Sequence, residues 1–173
     1  MEPIQTPDAW LRHLVDNHLR GLARFPARMN LDDADWRALL LRVGMSDAAR
    51  PPRLRQQDAL LSALLAPRRQ ECRQLADWLA QYMAPQAAPM HGLIAGASMG
   101  FNHLWQDLGL ASRAELRELM TVCFAPLVGM NDNNMRWKKF FYRQVCLAQE
   151  GELMCRSPSC ESCSEIGFCF APE

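Results

Sequence analysis

The sequence predicts an all-α fold: a single-domain helical bundle that ends in an irregular, cysteine-rich loop. Apolar residues recur at helical spacing along most of the chain. No stretch alternates cleanly enough between apolar and polar residues to be a strand. The length of 173 residues suits one domain and is long enough to bury a sizeable core. We therefore assign residues 1–150 to a helical domain and residues 151–173 to a cysteine-rich tail of the same domain.

The first two helices are marked by residues that favour helix ends. Thr6 is a suitable N-cap, and Pro7 then occupies the first helical position, where its missing N–H has no cost. A second helix begins near Asp32 or Asp33. It is expected to stop at Gly44, because glycine readily adopts the left-handed conformation that ends helices.

The middle of the chain is divided by prolines. Pro51 and Pro52 predict a loop, because proline is unfavourable inside a helix. Two helices are predicted to follow, over 54–66 and 68–83, with a break near Pro67. Both carry apolar residues at helical spacing.

The second half contains the best-marked helix. Ser112 and Glu115 form a predicted capping box for a helix that ends near residue 124. Polar residues 131–134 are expected to cap a last long helix, which ends near Gly151. Glycines interrupt the apolar stretch 90–99, which weakens the prediction of a regular helix there.

Composition excludes several classes of function. The formal net charge is zero and 49% of residues are hydrophobic, so nothing global indicates binding to nucleic acid or to a membrane. The N-terminus lacks the pattern of a secretory signal, and the apolar runs are too short to span a bilayer. We therefore expect a cytoplasmic protein with reduced thiols. The seven cysteines are an odd number, which excludes complete internal disulfide pairing.

Four of these cysteines lie within fifteen residues near the C-terminus, spaced C-x4-C-x2-C-x5-C: Cys155, Cys160, Cys163 and Cys169. Thiolates are soft ligands that select zinc, copper(I) or iron–sulfur clusters. Structural zinc usually uses two separated pairs, so the contiguous run fits zinc poorly. Plant-type ferredoxins begin with the same C-x4-C-x2-C spacing, although their fold is β-rich. The C-x2-C-x5-C ending is similar to the cluster loop of endonuclease III-type DNA glycosylases. The spacing therefore indicates a metal or a cluster without identifying its metals.

A basic and aromatic segment, "MRWKKFFYRQVC", precedes this cluster and carries four positive charges and no negative one. The simpler interpretation is a solvated basic face above an aromatic stripe in the core. The alternative is that the cations stabilise a thiolate-bound cluster or attract an oxyanion such as molybdate. The candidate anion contacts are Arg136, Lys139 and Arg143, and the residues expected in the core are Trp137, Phe140 and Phe141.

Three further side chains are candidates for additional metal contacts. His103 lies in "NHLWQDLG", and His91 has a similar but weaker claim, although a lone histidine is more often a hydrogen-bonded core residue. Cys146 is a candidate fifth ligand, nine residues before the cluster. A lone cysteine on a helix is more often a small buried hydrophobe, and this interpretation also covers Cys72 and Cys123.

Three motifs stand in order along the chain: "HLWQDLGL", "MRWKKFFYRQVC" and the four-cysteine tail. Together, from about Asn102 to Cys169, they resemble the NifQ family of nitrogen-fixation proteins. Members are described as iron–sulfur molybdoproteins that supply molybdenum for the iron–molybdenum cofactor of nitrogenase, by way of the NifEN scaffold and the NifH protein. The resemblance implies a cluster of molybdenum, iron and sulfide held by the four tail cysteines. A cysteine, His103, His91 or solvent would complete the molybdenum corner.

The resemblance implies a carrier of metal rather than an enzyme. The sequence agrees with this, since it contains no resemblance to a Ser/His/Asp set, a P-loop or a dinucleotide fingerprint. The alternative functions are a one-electron iron–sulfur redox protein or a cluster-bearing DNA-binding module. A structural zinc domain is the simplest alternative, and metal content distinguishes among them.

Overall fold

A computed structural model of the chain describes residues 3–150, without the side chains of residues 149 and 150. These residues form the all-α fold that the sequence predicts, and the described part contains no strand. The predicted cysteine-rich tail, 151–173, lies outside the described residues. In chain order the helices are α1 (Pro7–Leu19), α2 (Asp33–Val43), α3 (Pro52–Leu65), α4 (Arg69–Ala80), α5 (Met90–Ser98), α6 (Leu104–Asp107), α7 (Arg113–Cys123), α8 (Ala125–Met130) and α9 (Trp137–Glu150).

The ends of the first two helices confirm the sequence prediction. The hydroxyl of Thr6 accepts a hydrogen bond from the backbone N–H of Ala9 at 3.2 Å. The carboxylate of Asp32 accepts one from the backbone N–H of Asp35 at 2.7 Å. Gly44 ends α2 in the left-handed conformation, with φ of 70°. Each cap satisfies a backbone group that the helix itself leaves without a partner.

One helix in the middle of the chain starts earlier than predicted, and the stretch where glycines weakened the prediction forms a regular helix. Helix α3 begins at Pro52, two residues earlier than predicted, because proline is well tolerated at the first helical position. Helix α5 is regular despite its glycines, and most of it is buried. Its glycines permit close packing: a Cβ on Gly96 would lie 2.9 Å from the Cβ of Asn30, and one on Gly92 would lie 3.3 Å from Leu31.

The polar segment 131–134 has a different role from the predicted cap. The side chain of Asn131 accepts a hydrogen bond from Met135 N at 2.9 Å and donates one to Met135 O at 2.8 Å. The first intrahelical bond of α9 is accepted by the carbonyl of Arg136, which receives Phe140 N at 2.9 Å. The segment therefore forms a turn ahead of α9 and leaves the N-cap position to Arg136.

The hydrophobic core runs through the described part of the chain. The apolar face of α1 is completely buried, and the most extensive contact between helices joins α4 to α5. The aromatic stripe of α9 is buried as predicted, with Trp137, Phe140 and Phe141 all in this core. Burial of each such large apolar side chain contributes roughly 1.5–3 kcal/mol. Among the described helices, none is long and apolar enough to cross a membrane.

A buried ion pair joins the loop after α2 to helices α1 and α3. The guanidinium of Arg50 donates two hydrogen bonds to the carboxylate of Asp58, at 2.9 and 2.7 Å. A third donor of Arg50 bonds to the backbone carbonyl of His18. The single arginine side chain therefore fixes three segments of the N-terminal half.

Candidate functional site around the last helix

The structure joins two of the sequence motifs through a buried ion pair. The ammonium group of Lys138, in the basic segment, lies 2.6 Å from a carboxylate oxygen of Asp107, in "NHLWQDLG". Asp107 is completely buried, and Lys138 also donates to the carbonyl oxygen of Gly100 at 3.1 Å. Asn102 supplies two more donors to the carboxylate, its backbone N–H at 3.3 Å and its side-chain amide at 3.1 Å. The carboxylate is thus held by one cation and two neutral donors.

The local backbone is shaped to accommodate this carboxylate. A Cβ on Gly100 would lie 2.6 Å from Oδ2 of Asp107, so a larger residue there would displace the carboxylate. Helix α6, which ends with Asp107, is a single turn. Its start is stabilised by Gln106, whose side-chain oxygen accepts the backbone N–H of His103 at 3.1 Å. Glycine and the short helix together bring the carboxylate into the reach of α9.

The start of α9 is fixed from the other side by Arg113 of α7. One guanidinium nitrogen donates to the carbonyl oxygens of Asn134 and Met135, at 2.8 and 2.9 Å. These contacts position the backbone immediately before α9. The two hydrogen bonds between the side chain of Asn131 and the backbone of Met135 stabilise the same turn. Three independent sets of polar contacts therefore determine where the last helix begins.

A cavity of about 370 Å³ lies beside α9, walled also by α4 and the end of α5. The residues that α9 contributes to it repeat at intervals of three and four, as expected for one helical face. They are Lys138, Phe141, Tyr142, Val145 and Cys146. A volume of this size is within the range of small-molecule sites in proteins.

The opposite wall of this cavity carries a second cation, Arg68. Its guanidinium forms a bidentate pair with Glu71, at 3.0 and 2.8 Å, and donates to the carbonyl oxygen of Met99 at 2.7 Å. The hydrogen bond from Arg68 lowers the pKa of the Glu71 carboxyl, which favours its charged form. Both Arg68 and Lys138 therefore have carboxylate partners, and the charges at the cavity are balanced.

The structure separates the predicted basic face from this cavity. Lys139 is exposed and Arg136 and Arg143 are half-buried, and none of the three lines the cavity. The cation of α9 that does line it is Lys138, which the sequence analysis did not select. Its position three residues before Phe141 and eight before Cys146 was the available signal, since that spacing places all three on one helical face.

The predicted extra ligands are only partly brought together. Cys146 lines the cavity. His91 lies at the opposite end of α5, seven residues before Ser98, which corresponds to about 10 Å along the helix axis. Burial lowers the pKa of His91. His103 stands at the start of α6 and does not line this cavity.

The remaining described cysteines are buried, as the sequence analysis expects. Cys123 is completely buried, and desolvation raises its pKa to about 12. Burial also raises the pKa of Cys72, although a hydrogen bond from Asn30 opposes this. Both thiols are therefore protonated at neutral pH, whereas a metal ligand must be a thiolate. Within residues 3–150, no group of three or more histidine, cysteine, aspartate or glutamate side chains is arranged to hold a metal ion. The four tail cysteines, Cys155, Cys160, Cys163 and Cys169, lie outside the described residues.

Fold and sequence together define an all-α protein whose basic last helix leads into a four-cysteine tail. The sequence model of the NifQ family matches residues 10–171. The chain is 52% identical to the protein NifQ of Klebsiella pneumoniae over 164 residues, which are 95% of this chain and 98% of that relative. It is 37% identical to the protein NifQ of Azotobacter vinelandii, over 95% of this chain and 88% of the relative. It is 39% identical to that of Rhodobacter capsulatus, over 88% and 81%.

The chain therefore belongs to the NifQ family, whose members are involved in nitrogen fixation. The match also covers most of the N-terminal half, which lies outside the stretch that carries the sequence resemblance, about Asn102 to Cys169. No solved structure matches this chain significantly.

Proposed function

We propose that the protein is a cytoplasmic iron–sulfur molybdoprotein that donates molybdenum for synthesis of the nitrogenase iron–molybdenum cofactor. In this proposal it is a carrier, not an enzyme, and it delivers molybdenum to the NifEN scaffold together with the NifH protein. The observation that carries the proposal is the C-x4-C-x2-C-x5-C tail of a chain that belongs to the NifQ family. Molybdate is the proposed source of the metal.

The chemistry of the donor set fits a cluster of iron, sulfide and molybdenum. Iron–sulfur clusters are held by cysteine thiolates, and the tail supplies four: Cys155, Cys160, Cys163 and Cys169. Molybdenum also accepts harder oxygen or imidazole ligands, so the candidates for its corner include His91, His103 and solvent as well as a thiolate.

The position of Cys146 is consistent with a role as an additional ligand of the cluster. It lies near the end of α9 and lines the cavity beside that helix. Cys155 follows Glu150, the last residue of α9, by five positions in the sequence. A chain of five residues spans at most roughly 18 Å.

The distribution of charge also supports this proposal. From Glu150 onward the sequence contains five glutamates and one arginine, and a thiolate-bound cluster would add further negative charge. The basic segment before this tail carries Arg136, Lys139 and Arg143. Cations beside an anionic cluster, or beside an incoming oxyanion, stabilise it through charge-assisted contacts.

The test is the metal content of the full chain purified without oxygen. We expect iron and molybdenum together, with visible iron–sulfur absorption. Substitution of Cys160→Ala removes a proposed iron ligand and should abolish both absorption and metal retention, while the helical content remains. The matched control is Cys123→Ala, because Cys123 is a completely buried thiol of α7 and should be dispensable for metal binding.

Other outcomes have defined meanings. Iron without molybdenum would contradict molybdenum donation and indicate a one-electron redox protein. Zinc alone in a colourless protein would indicate a structural zinc domain. A Cys160→Ala variant that keeps its full iron and colour would remove that residue from the cluster.

A further inference from the structure

Three consecutive residues between α1 and α2 have a left-handed backbone. The φ angles are 57° at Arg28, 50° at Met29 and 66° at Asn30. Each residue other than glycine in this conformation costs roughly 1–2 kcal/mol, because its Cβ approaches the following carbonyl oxygen. Such strain persists only where the surrounding structure enforces it, and it is concentrated at ligand sites and active sites.

Specific contacts enforce this strained turn. Met29 is completely buried in the core. The backbone N–H before the turn, at Ala27, donates to the hydroxyl of Ser62 at 3.0 Å. The amide of Asn30 donates to the sulfur of Cys72 at 3.2 Å, and Gly96 leaves room for Asn30 against α5. Since Met29 is buried, the turn directs its flanking residues, Arg28 and Asn30, outward to the surface.

The strained turn borders a cleft of about 520 Å³, which is separate from the cavity beside α9. The opposite wall is one face of α4, with Arg69, Cys72 and Arg73 at positions i, i+3 and i+4. Gly92 and Gly96 of α5 also line it, and their lack of side chains lets Leu31 and Asn30 pack closely against α5. We call this site the arginine cleft, after Arg28, Arg69 and Arg73.

The charges of the arginine cleft are not balanced. Its lining contains three guanidinium groups and one carboxylate, that of Asp32, which already accepts the backbone N–H of Asp35. Arg69 and Arg73 form no ion pair with any residue in the range 3–150. Their neighbour Arg68, which faces the other cavity, is fully engaged by Glu71.

We propose that the arginine cleft binds a tetrahedral oxyanion. Guanidinium groups match oxyanions with parallel pairs of hydrogen bonds, and such charge-assisted contacts are the strong ones. Arg69 and Arg73 supply two groups from one helix, and the strained turn presents Arg28 from the opposite side. The residues of this site are not part of the four-cysteine motif, and the proposal does not depend on the proposed function.

The experiment is titration calorimetry of the full chain at low, constant ionic strength with inorganic phosphate, sulfate and molybdate in turn. We expect saturable binding of one ion per chain. Phosphate is the decisive probe because, unlike molybdate, it does not coordinate the thiols of the tail. Molybdate that competes with phosphate for the same site would show that the site accepts the molybdenum oxyanion, and phosphate binding that molybdate does not displace would support a phosphate site.

Two substitutions test the location. Arg69→Gln and Arg73→Gln each remove one guanidinium and should weaken phosphate binding about tenfold, the loss expected for one charge-assisted contact. The matched control is Arg53→Gln, an exposed arginine on α3 that does not line the arginine cleft, and it should leave the affinity unchanged. An equal loss in the control, or no saturable binding of any of the three ions, would overturn the proposal.

A third substitution tests the strained turn. Arg28→Gly relieves the left-handed strain at this position, so the melting temperature should be maintained or raised, whereas phosphate affinity should fall about tenfold. This combination separates loss of binding from loss of folding. A more stable variant with unchanged affinity would show that the turn has only a structural role, and would overturn the three-arginine site.

Discussion

The two halves of the molecule each contain a buried ion pair, and the pairs differ in how completely they are enclosed. In the N-terminal half, Arg50 and Asp58 have side-chain exposures of 6% and 11%. In the C-terminal half, Asp107 is fully buried, but its partner Lys138 is 22% exposed. The first pair is enclosed on both sides, whereas the second is open on the side of its cation.

The difference follows from the chemistry of the two cations. An arginine fork occupies both oxygens of a carboxylate at once, as Arg50 does with Asp58. A lysine ammonium contacts one oxygen and leaves the rest of the carboxylate to other donors, here supplied by Asn102. The N-terminal pair therefore serves to fix segments, whereas the C-terminal pair connects the "NHLWQDLG" motif to a helix that borders a cavity and leads to the cysteine tail.

The largest losses of stability are expected when the carboxylate of either ion pair is removed. Asp58→Asn leaves the guanidinium of Arg50 buried without a counter-charge, and we expect a loss of about 3–5 kcal/mol in the free energy of unfolding. Asp107→Asn should cost less, about 2 kcal/mol, because Lys138 already reaches solvent. Urea unfolding of both variants measures this. Equal losses would show that the difference in enclosure does not determine the cost of removing the carboxylate.

Acidification should affect the N-terminal pair through His18. Burial, with a further contribution from Arg50, lowers the pKa of this imidazole to about 4, against the opposing charges of Asp58 and Asp47. At neutral pH the imidazole is therefore uncharged, and its approach to Asp58 at 3.9 Å is not an ion pair. Between pH 6.5 and 4 the unfolded chain binds a proton that the native chain does not.

Stability should consequently fall as the pH is lowered through this window, by roughly 3 kcal/mol in total from this group. Urea unfolding at pH 7, 5.5 and 4 measures the slope. His18→Gln, which cannot take up the proton, is the control and should show a shallower pH dependence. Identical slopes in the two proteins would assign the acid sensitivity to other groups.

The sequence predicts helices well where their ends carry a local signal. Thr6, Asp32 and Ser112 are N-caps as expected, because a cap depends on residues within one turn. The prediction was weaker for the stretch that forms α5, because glycine lowers intrinsic helix propensity, whereas long-range packing against the strained turn requires glycine at position 96. Propensity is a local quantity, and this helix is determined by tertiary contacts.

The candidate site was likewise predictable only where the signal is local. The aromatic core of α9 followed from helical spacing. The Lys138–Asp107 contact joins residues 31 positions apart, and no periodicity within either motif indicates the partner in the other. Likewise, a left-handed turn at Arg28–Asn30 was not predicted, since two of its residues have no preference for that conformation and only the surrounding contacts impose it.

The smallest effect is expected at Lys139, the immediate neighbour of Lys138 and the other of the chain's two lysines. Lys139→Gln keeps helix propensity and most of the side-chain length, and the residue is exposed, so the free energy of unfolding should change by no more than about 0.5 kcal/mol. The same substitution at Lys138 removes the cation from a fully buried carboxylate and should cost at least about 1 kcal/mol. Urea unfolding of the two variants makes the comparison between adjacent residues of one helix. The molybdenum-to-iron ratio then tests the proposed function. We expect Lys139→Gln to lower this ratio, because the proposed oxyanion contact is lost whereas the proposed thiolate ligands of iron are unchanged. A ratio equal to that of the parent protein would identify the basic face as merely solvated.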